Sequence, residues 1–224
     1  FKDAVMEQTM ADQFGADWRT TLGYEKDALV PYAVAALLNY LHETQKRGVE
    51  RIKTVQNYAD AQYMRLSPVT RANLELTETM RGREKRGTLL WVLDKTETSM
   101  GKRLLRSWIE QPLVDAESIN ARLCAVQALY SASIARADLK EALGHVFDIE
   151  RLTTRILYGS ATPREVKALG DTCAMLPQVK AQAATCGAPL LTQLADQIDL
   201  LEDVLQNIQT ALVDDPPANI WLLY

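Results

Sequence analysis

"DIERLTTRILYGSATPREVKALG", residues 148–170, decides the fold class of this 224-residue chain. Thr162 is suited to cap a helix, Pro163 takes the first helical position, and Glu165 follows three residues after the cap. Together they form a capping box, which predicts that a helix begins here. A Gly-Ser pair separates this helix from an earlier one, whose apolar residues recur at helical spacing: Ile149, Leu152 and Ile156.

Further amphipathic helices are predicted on both sides of that stretch. One begins near Pro31 and ends at Lys46, Arg47 and Gly48, with cations in its last turn and glycine beyond. Others are predicted within 115–129 and 189–213, whose apolar residues keep helical spacing. Ser67-Pro68 predicts a brief turn, and the alternation in Leu74–Thr77 predicts a short, half-buried strand. The fold class is therefore mainly α, with at most a few short strands.

"TSMGKRLLRSW", residues 98–108, combines cations with apolar side chains and allows two interpretations. Thr98 can cap a helix that Pro112 ends, because proline cannot donate to the helical ladder. Lys102 and Arg106 then lie opposite an apolar stripe. The favoured interpretation is a packed helix with its cations outside, and the other is a basic patch that contacts nucleic acid. The stripe consists of Met100, Leu104 and Trp108.

Two expectations follow from the favoured interpretation: one concerns an ion pair and the other the burial of two tryptophans. Arg103 lies at the edge of the apolar stripe, and we expect it to pair with Asp148 and Glu150 from a neighbouring helix, because a partly buried guanidinium needs a carboxylate partner. Trp91 and Trp108 lie among aliphatic residues. We therefore expect both indoles to be mostly buried packing residues and not stacking platforms for bases.

Composition excludes several classes of function. A net charge of −4 argues against a chain that wraps nucleic acid over much of its surface. The sequence has no GxxxxGK[ST] phosphate loop, no GxGxxG turn and no HExxH helix. Its three cysteines include no CxxC pair, so reduced thiols are predicted and no metal site is. No stretch is long and apolar enough to span a bilayer.

Three blocks of the sequence resemble, in order and spacing, the core domain of the MutS family of DNA mismatch-repair proteins. They are "NLELTETMRG" (73–82), "GTLLWVLDKTETSMGKRLLRSWIEQPL" (87–113) and "DIERLTTRILYGSATPREVKAL" (148–169). "AALLNYLHETQK" (35–46) is similar to the last helix of the connector domain that precedes that core. The resemblance runs from about Phe14 to Pro217.

The resemblance implies a division of the chain and a set of motif residues. Residues 1–53 correspond to the last helical part of an α/β connector domain, and residues 54–220 to the MutS-type core, or lever, domain before the clamp insertion. Residues 221–224 depart from the family pattern and are expected to be a tail or a chain joined across a gap. Lys102 and Arg106 remain weak candidates for contact with the DNA backbone. The expected structural motif is Gly101, Arg103, Leu104, Leu105, Pro112, Asp148, Glu150 and Arg151, and Gly101 is expected to let a neighbouring backbone approach.

The resemblance also implies the function of the parent protein. Such proteins are dimeric ATPases that bind mismatched double-stranded DNA, use ATP and Mg²⁺, and recruit a MutL-type repair partner in the bacterial cytoplasm at the nucleoid. This chain is expected to be a fragment that couples ATPase state to DNA clamping, with no catalytic, cofactor or metal site of its own and no membrane contact. It is expected neither to hydrolyse ATP nor to discriminate a mismatch. The alternatives are a fragment of a MutS-like paralogue acting in recombination or translation quality control, and a free-standing helical interaction domain.

Overall fold

Helices are the regular elements of the computed structural model, which describes residues 2–25, 28–44, 48–55 and 62–217. The chain divides into two compact units, residues 1–59 and 60–224. Within the described residues there is one isolated antiparallel bridge, between Tyr63 and Leu113, and no extended strand. The predicted mainly α class is therefore confirmed.

The described residues of the first unit form α1 (Asp3–Phe14), α2 (Trp18–Leu22), α3 (Val30–Thr44) and a short 3-10 helix (Val49–Arg51). α1 packs against α3. The start of α3 lies where the Pro31 signal predicted it, whereas Lys46 and Arg47 lie outside the described residues. The core of this unit is formed by Met6, Met10, Trp18, Ala35, Leu38 and Val49.

The second unit is organised around one long helix of 23 residues, α10. It packs against the helices that precede and follow it, α8, α9, α11 and α12. The helices of this unit are α4 (Pro68–Asn73), α5 (Leu89–Leu93), α6 (Ser99–Glu110), α7 (Ala116–Ser131), α8 (Ser133–Gly144), α9 (Ile149–Leu157), α10 (Pro163–Thr185), α11 (Pro189–Asp196) and α12 (Glu202–Ala211).

The starts of α4, α6 and α10 follow local signals in the sequence. The hydroxyl of Thr162 accepts a hydrogen bond from the backbone N–H of Glu165, whose carboxylate accepts one from the N–H of Thr162, so the predicted capping box is confirmed. Thr98 caps α6 by accepting from Gly101 N at 3.0 Å, and the helix ends at Glu110, just before Pro112. Ser67 caps α4 in the same way.

The predicted strand at Leu74–Thr77 is wrong. Glu75 has a positive φ of 45°, which reverses the chain directly after α4. The carbonyl oxygens of Glu75 and Leu76 accept hydrogen bonds from Leu89 N and Leu90 N, so this turn anchors the start of α5. In this turn Leu76 is buried whereas Leu74 is exposed. The alternation of apolar and polar residues therefore reflects a turn and not a strand.

Close approach of α10 and α12 depends on Gly170. A Cβ atom at this position would lie 2.8 Å from Ile208 Cγ2, which is closer than carbon atoms pack. Thr172, fully buried nearby, accepts a hydrogen bond from Phe147 N at 3.0 Å and donates one to Ala168 O at 2.9 Å. The middle of α10 is therefore packed tightly on one side and hydrogen-bonded on the other.

Candidate functional site: an ionic junction beside a basic cleft

Arg103 joins α6 to the start of α9 through a bidentate ion pair. Its Nη1 lies 2.8 Å from Asp148 Oδ2, and its Nη2 lies 2.8 Å from Asp148 Oδ1 and 2.6 Å from Glu150 Oε2. The predicted pairing of Arg103 with both carboxylates is confirmed, although half of the arginine side chain is exposed. Two parallel N–H···O bonds fix direction as well as distance. We call the contact of Arg103, Asp148 and Glu150 the ionic junction.

Asp148 has a second role in the same place. Its Oδ1 accepts a hydrogen bond from Arg151 N and so caps α9. The Arg103 guanidinium lowers the pKa of the Asp148 carboxyl below its ordinary value. Because folding lowers this pKa, the carboxylate stabilises the fold above its ordinary pKa and loses that contribution as the pH falls through the lowered value. One carboxylate therefore both starts α9 and attaches it to α6.

A second ionic group attaches α9 to α10. Glu165 Oε1 lies 2.8 Å from Arg155 Nε and 3.8 Å from Arg151 Nη2. The same carboxylate belongs to the capping box, and its hydrogen bond from the Thr162 backbone is the main cause that lowers its pKa. Two separate ionic groups therefore attach α9 to its neighbours, one to α6 and the other to the long helix α10.

The glycine of the motif acts differently from the expectation. A Cβ on Gly101 would lie 2.9 Å from the capping hydroxyl Oγ1 of Thr98 and 3.7 Å from the side chain of Thr96. The absence of a side chain therefore makes room for the helix's own cap and the preceding loop, and not for a neighbouring backbone. Leu105 and Pro112 are partly buried in this region.

The apolar stripe of α6 is not buried within this chain. Leu104 is 52% exposed and Trp108 is 40% exposed, and Trp91 on α5 is 50% exposed. The expectation that both tryptophans are mostly buried is therefore wrong. Arg122 of α7 lies over the Trp108 ring, with its Cζ 3.7 Å from the ring centroid. Periodicity indicated which face of α6 is apolar, but not what covers that face.

Lys102 and Arg106, the candidates for contact with DNA, both hold carboxylates of this chain. Lys102 Nζ lies 2.9 Å from Asp94 Oδ2, and Arg106 Nε lies 2.8 Å from Glu110 Oε1. Their side chains are still 62% and 46% exposed. Each can therefore contact solvent while it remains paired.

Asp94 is a site residue that the sequence analysis did not identify. It accepts a hydrogen bond from the Thr96 hydroxyl at 2.6 Å and pairs with Lys102. The Thr96 hydroxyl and the Lys102 ammonium together lower the pKa of Asp94 to about 2. The signal was present as an Asp with Thr two residues later, the pattern of an Asx turn, at the end of α5.

A basic cleft of about 500 Å³ lies between α5 and α6. Residues 81–106 hold eight Lys and Arg against three Asp and Glu, a formal charge of +5 in a chain whose net charge is −4. The cations that line the cleft are Lys85, Lys95, Lys102, Arg103 and Arg106. The wall of the cleft also includes Trp91, Asp94 and Ser99.

In the part of the chain that the structure describes, no group of three or more His, Cys, Asp or Glu side chains is placed to hold a metal ion. Cys124, Cys173 and Cys186 are free thiols. No helix among the described ranges is long and apolar enough to cross a bilayer.

Comparison with known proteins places these features in a family. The family model described as MutS domain III matches residues 69–221. The DNA mismatch repair protein MutS of Alkaliphilus oremlandii is 40% identical over 220 residues, covering 98% of this chain and 25% of that protein. Those of Lachnoclostridium phytofermentans and Brevibacillus brevis are 38% and 42% identical over 95% and 87% of this chain, covering 23% and 22% of their own lengths.

The chain thus spans about a quarter of the length of the curated relatives it matches. The matched residues include both groups of ionic contacts and the basic cleft. Residues 221–224, predicted to depart from the family, lie outside the described residues, and the assignment of residues 1–53 to a connector domain stays a prediction. The helical fold and the match to residues 69–221 together show that this chain belongs to the MutS family and carries its domain III.

Proposed function

We propose that this chain is the structural core of a DNA mismatch-repair protein, in which it couples the state of an ATPase to the clamping of DNA. The observation that supports this proposal is a pair of ionic groups that attach α9 to α6 at one point and to α10 at another. A coupling element must transmit displacement from one end to the other, so its helices have to move together. The ionic junction supplies that attachment between α6 and α9.

The geometry of the junction suits this role better than a simple surface ion pair does. A single exposed ion pair adds little stability and tolerates rotation about its one contact. Arg103 instead holds two carboxylates of α9 with three hydrogen bonds, which fixes the orientation of α9 relative to α6. Asp148 is also the cap of α9, so a rotation at the junction disturbs the helix itself.

The partners of the whole protein are part of the same proposal. They are mismatched double-stranded DNA, ATP with Mg²⁺, a second copy of the protein and a MutL-type repair protein, in the bacterial cytoplasm at the nucleoid. Three relatives bear the name DNA mismatch repair protein MutS, which supports the DNA partner most directly. The remaining partners rest on the resemblance to the family.

The test is the substitution Arg103→Ala in the full-length protein that contains this chain. We expect the stimulation of ATP turnover by mismatched duplex to fall by about fivefold or more, since allosteric coupling is typically worth about five- to 150-fold. Basal ATP turnover and nucleotide-free affinity for mismatched duplex should change by less than about twofold, because Arg103 is assigned neither to the ATPase site nor to the site that binds the duplex. Steady-state assays measure basal and stimulated ATP turnover, and fluorescence anisotropy of labelled duplex measures the affinity.

Lys167→Gln is the matched control. It breaks the ion pair between Lys167 and Asp171, which joins α10 only to itself. We expect this variant to keep full stimulation. Full stimulation in Arg103→Ala, or an equal loss in both variants, would show that the ionic junction does not carry the coupling.

We further propose that this chain alone neither hydrolyses ATP nor discriminates a mismatch. The sequence offers no glycine-rich loop whose N–H groups could hold the phosphates, and no lysine that follows one. A G·T-containing duplex and its fully paired counterpart should bind with equal affinity at about 150 mM salt, in the weak range of non-specific contacts. A preference of about tenfold, worth about 1.4 kcal/mol, would instead make the core a reader of DNA.

A further inference from the structure

Trp91 is 50% exposed and lines the basic cleft between α5 and α6. Its backbone is held in place because Trp91 N donates to the capping hydroxyl of Thr88, which is buried. Arg86 lies near the ring, with its Cζ 6.0 Å from the ring centroid. The result is a half-exposed aromatic ring, fixed on a helix, in a cleft that cations line.

The charges of the cleft do not cancel one another. Lys102, Arg103 and Arg106 are paired with carboxylates, and Asp94 is the acidic group in the wall. Lys85 and Lys95 also line the cleft, and within the described part of the chain neither forms an ion pair. The unbalanced positive charge of the cleft therefore comes from these two lysines, which line it together with Trp91.

We propose that this cleft is a sequence-independent binding site for single-stranded nucleic acid, in which one base stacks on Trp91 and the neighbouring phosphates contact Lys85 and Lys95. Sites of this kind combine a positively charged groove with aromatic faces, and every base offers a π-face for stacking. The inference goes beyond the coupling role and does not depend on it, because it concerns a surface that faces solvent in this chain.

Two other occupants fit these observations less well. An acidic protein segment satisfies the lysines but leaves the indole face without a stacking partner. A duplex presents phosphates, but its bases are already stacked within the helix and cannot reach the indole. The cleft volume of about 500 Å³ lies within the range of about 300–1,000 Å³ for sites that enclose a small ligand, which suits a segment of one or two nucleotides.

The test is binding of a fluorescein-labelled oligo-dT of about 10 nucleotides to the full 224-residue chain, followed by anisotropy between about 50 and 200 mM salt. We expect Trp91→Leu to weaken binding by about tenfold, within the range measured when an aromatic stacking partner is removed. Trp108→Leu is the matched control, since Trp108 is also part-exposed but its ring is covered by Arg122. It should change affinity by less than about twofold.

A second pair of variants tests the phosphates. Because each phosphate contact to a single strand contributes about −0.7 to the slope of log affinity against log salt, Lys85→Gln with Lys95→Gln should make that slope shallower by about 1.4. Lys140→Gln, on α8 and paired with Glu97, should leave the slope unchanged. Circular dichroism of each variant establishes that the helical fold is retained.

The proposal is overturned by any of four results. The first is no binding of the oligonucleotide at about 50 mM salt, and the second is equal affinity of Trp91→Leu and the unsubstituted chain. The third is equal binding of a paired duplex with the same dependence on Trp91. The fourth is displacement of the oligonucleotide by poly-glutamate at equal charge concentration. The last result would assign the cleft to an acidic protein partner. None of the four bears on the Arg103→Ala experiment, so the two proposals fail independently.

Discussion

Trp18→Ala is expected to remove much of the stability of the first unit while α10 in the second unit stays protected. Trp18 is 2% exposed, and its ring contacts Tyr24 and lies beneath the guanidinium of Arg19. Truncating a buried tryptophan costs about 3–5 kcal/mol, because apolar contacts are lost and a cavity remains. At about 0.05–0.15 kcal/mol per residue, a unit of 59 residues has a stability of about 3–9 kcal/mol, so the loss removes much of it.

Hydrogen exchange followed by mass spectrometry measures this outcome. Amides of α1 and α3 should lose protection in Trp18→Ala, while amides of α10 should keep theirs. Tyr40→Ala is the control, since Tyr40 is on α3 but is 61% exposed, and surface substitutions usually change stability by less than about 0.5 kcal/mol. Unchanged exchange in α1 and α3 of Trp18→Ala would mean that Trp18 is not central to that core.

Gly170→Val is expected to destabilise the second unit strongly. The added Cβ would lie 2.8 Å from Ile208 Cγ2, and this methyl group is on a branched carbon that cannot swing away freely. Overpacking of this kind typically costs about 1–3 kcal/mol, and the second γ-methyl of valine adds to the crowding. We expect a loss of about 2–3 kcal/mol in the unfolding free energy of the second unit, after a small gain from removing glycine.

Urea unfolding monitored by circular dichroism measures the change, and Gly144→Val is the matched control. Gly144 also lies in a helix, but nothing is within 4 Å of its added Cβ. Combining Gly170→Val with Ile208→Ala, which removes the clashing methyl group, should cost less than the sum of the two single changes. An additive double variant would contradict the assigned clash.

The sequence could predict features that depend on a few consecutive residues. The caps at Ser67, Thr98 and Thr162 were predictable, because a side-chain oxygen and a backbone N–H two or three residues later are enough to define them. The pairing of Arg103 with Asp148 was also predictable, although 45 residues separate them, because an arginine at the edge of an apolar stripe requires an acidic partner.

Features that depend on distant backbone could not be predicted in this way. The turn at Glu75 is held by N–H groups of α5, so local alternation around Leu76 was mistaken for a strand. Exposure of Trp91 and Trp108 was missed because spacing shows which face of a helix is apolar, but burial depends on what packs against that face. The basic cleft could not be predicted because it exists only once the packing of α5 and α6 encloses a space that Lys85 and Lys95 both line.

The packing of α10 has a consequence for the order in which the second unit forms. Its partners α8, α9, α11 and α12 all lie within residues 133–211, so these contacts close short loops at small entropic cost. Local contacts of this kind form early in folding, and the capping box at Thr162 favours nucleation at the first turn. The pairing of Arg103 with Asp148 spans 45 residues, so we expect it to form after these contacts. We therefore expect the ionic junction to slow unfolding more than it speeds folding.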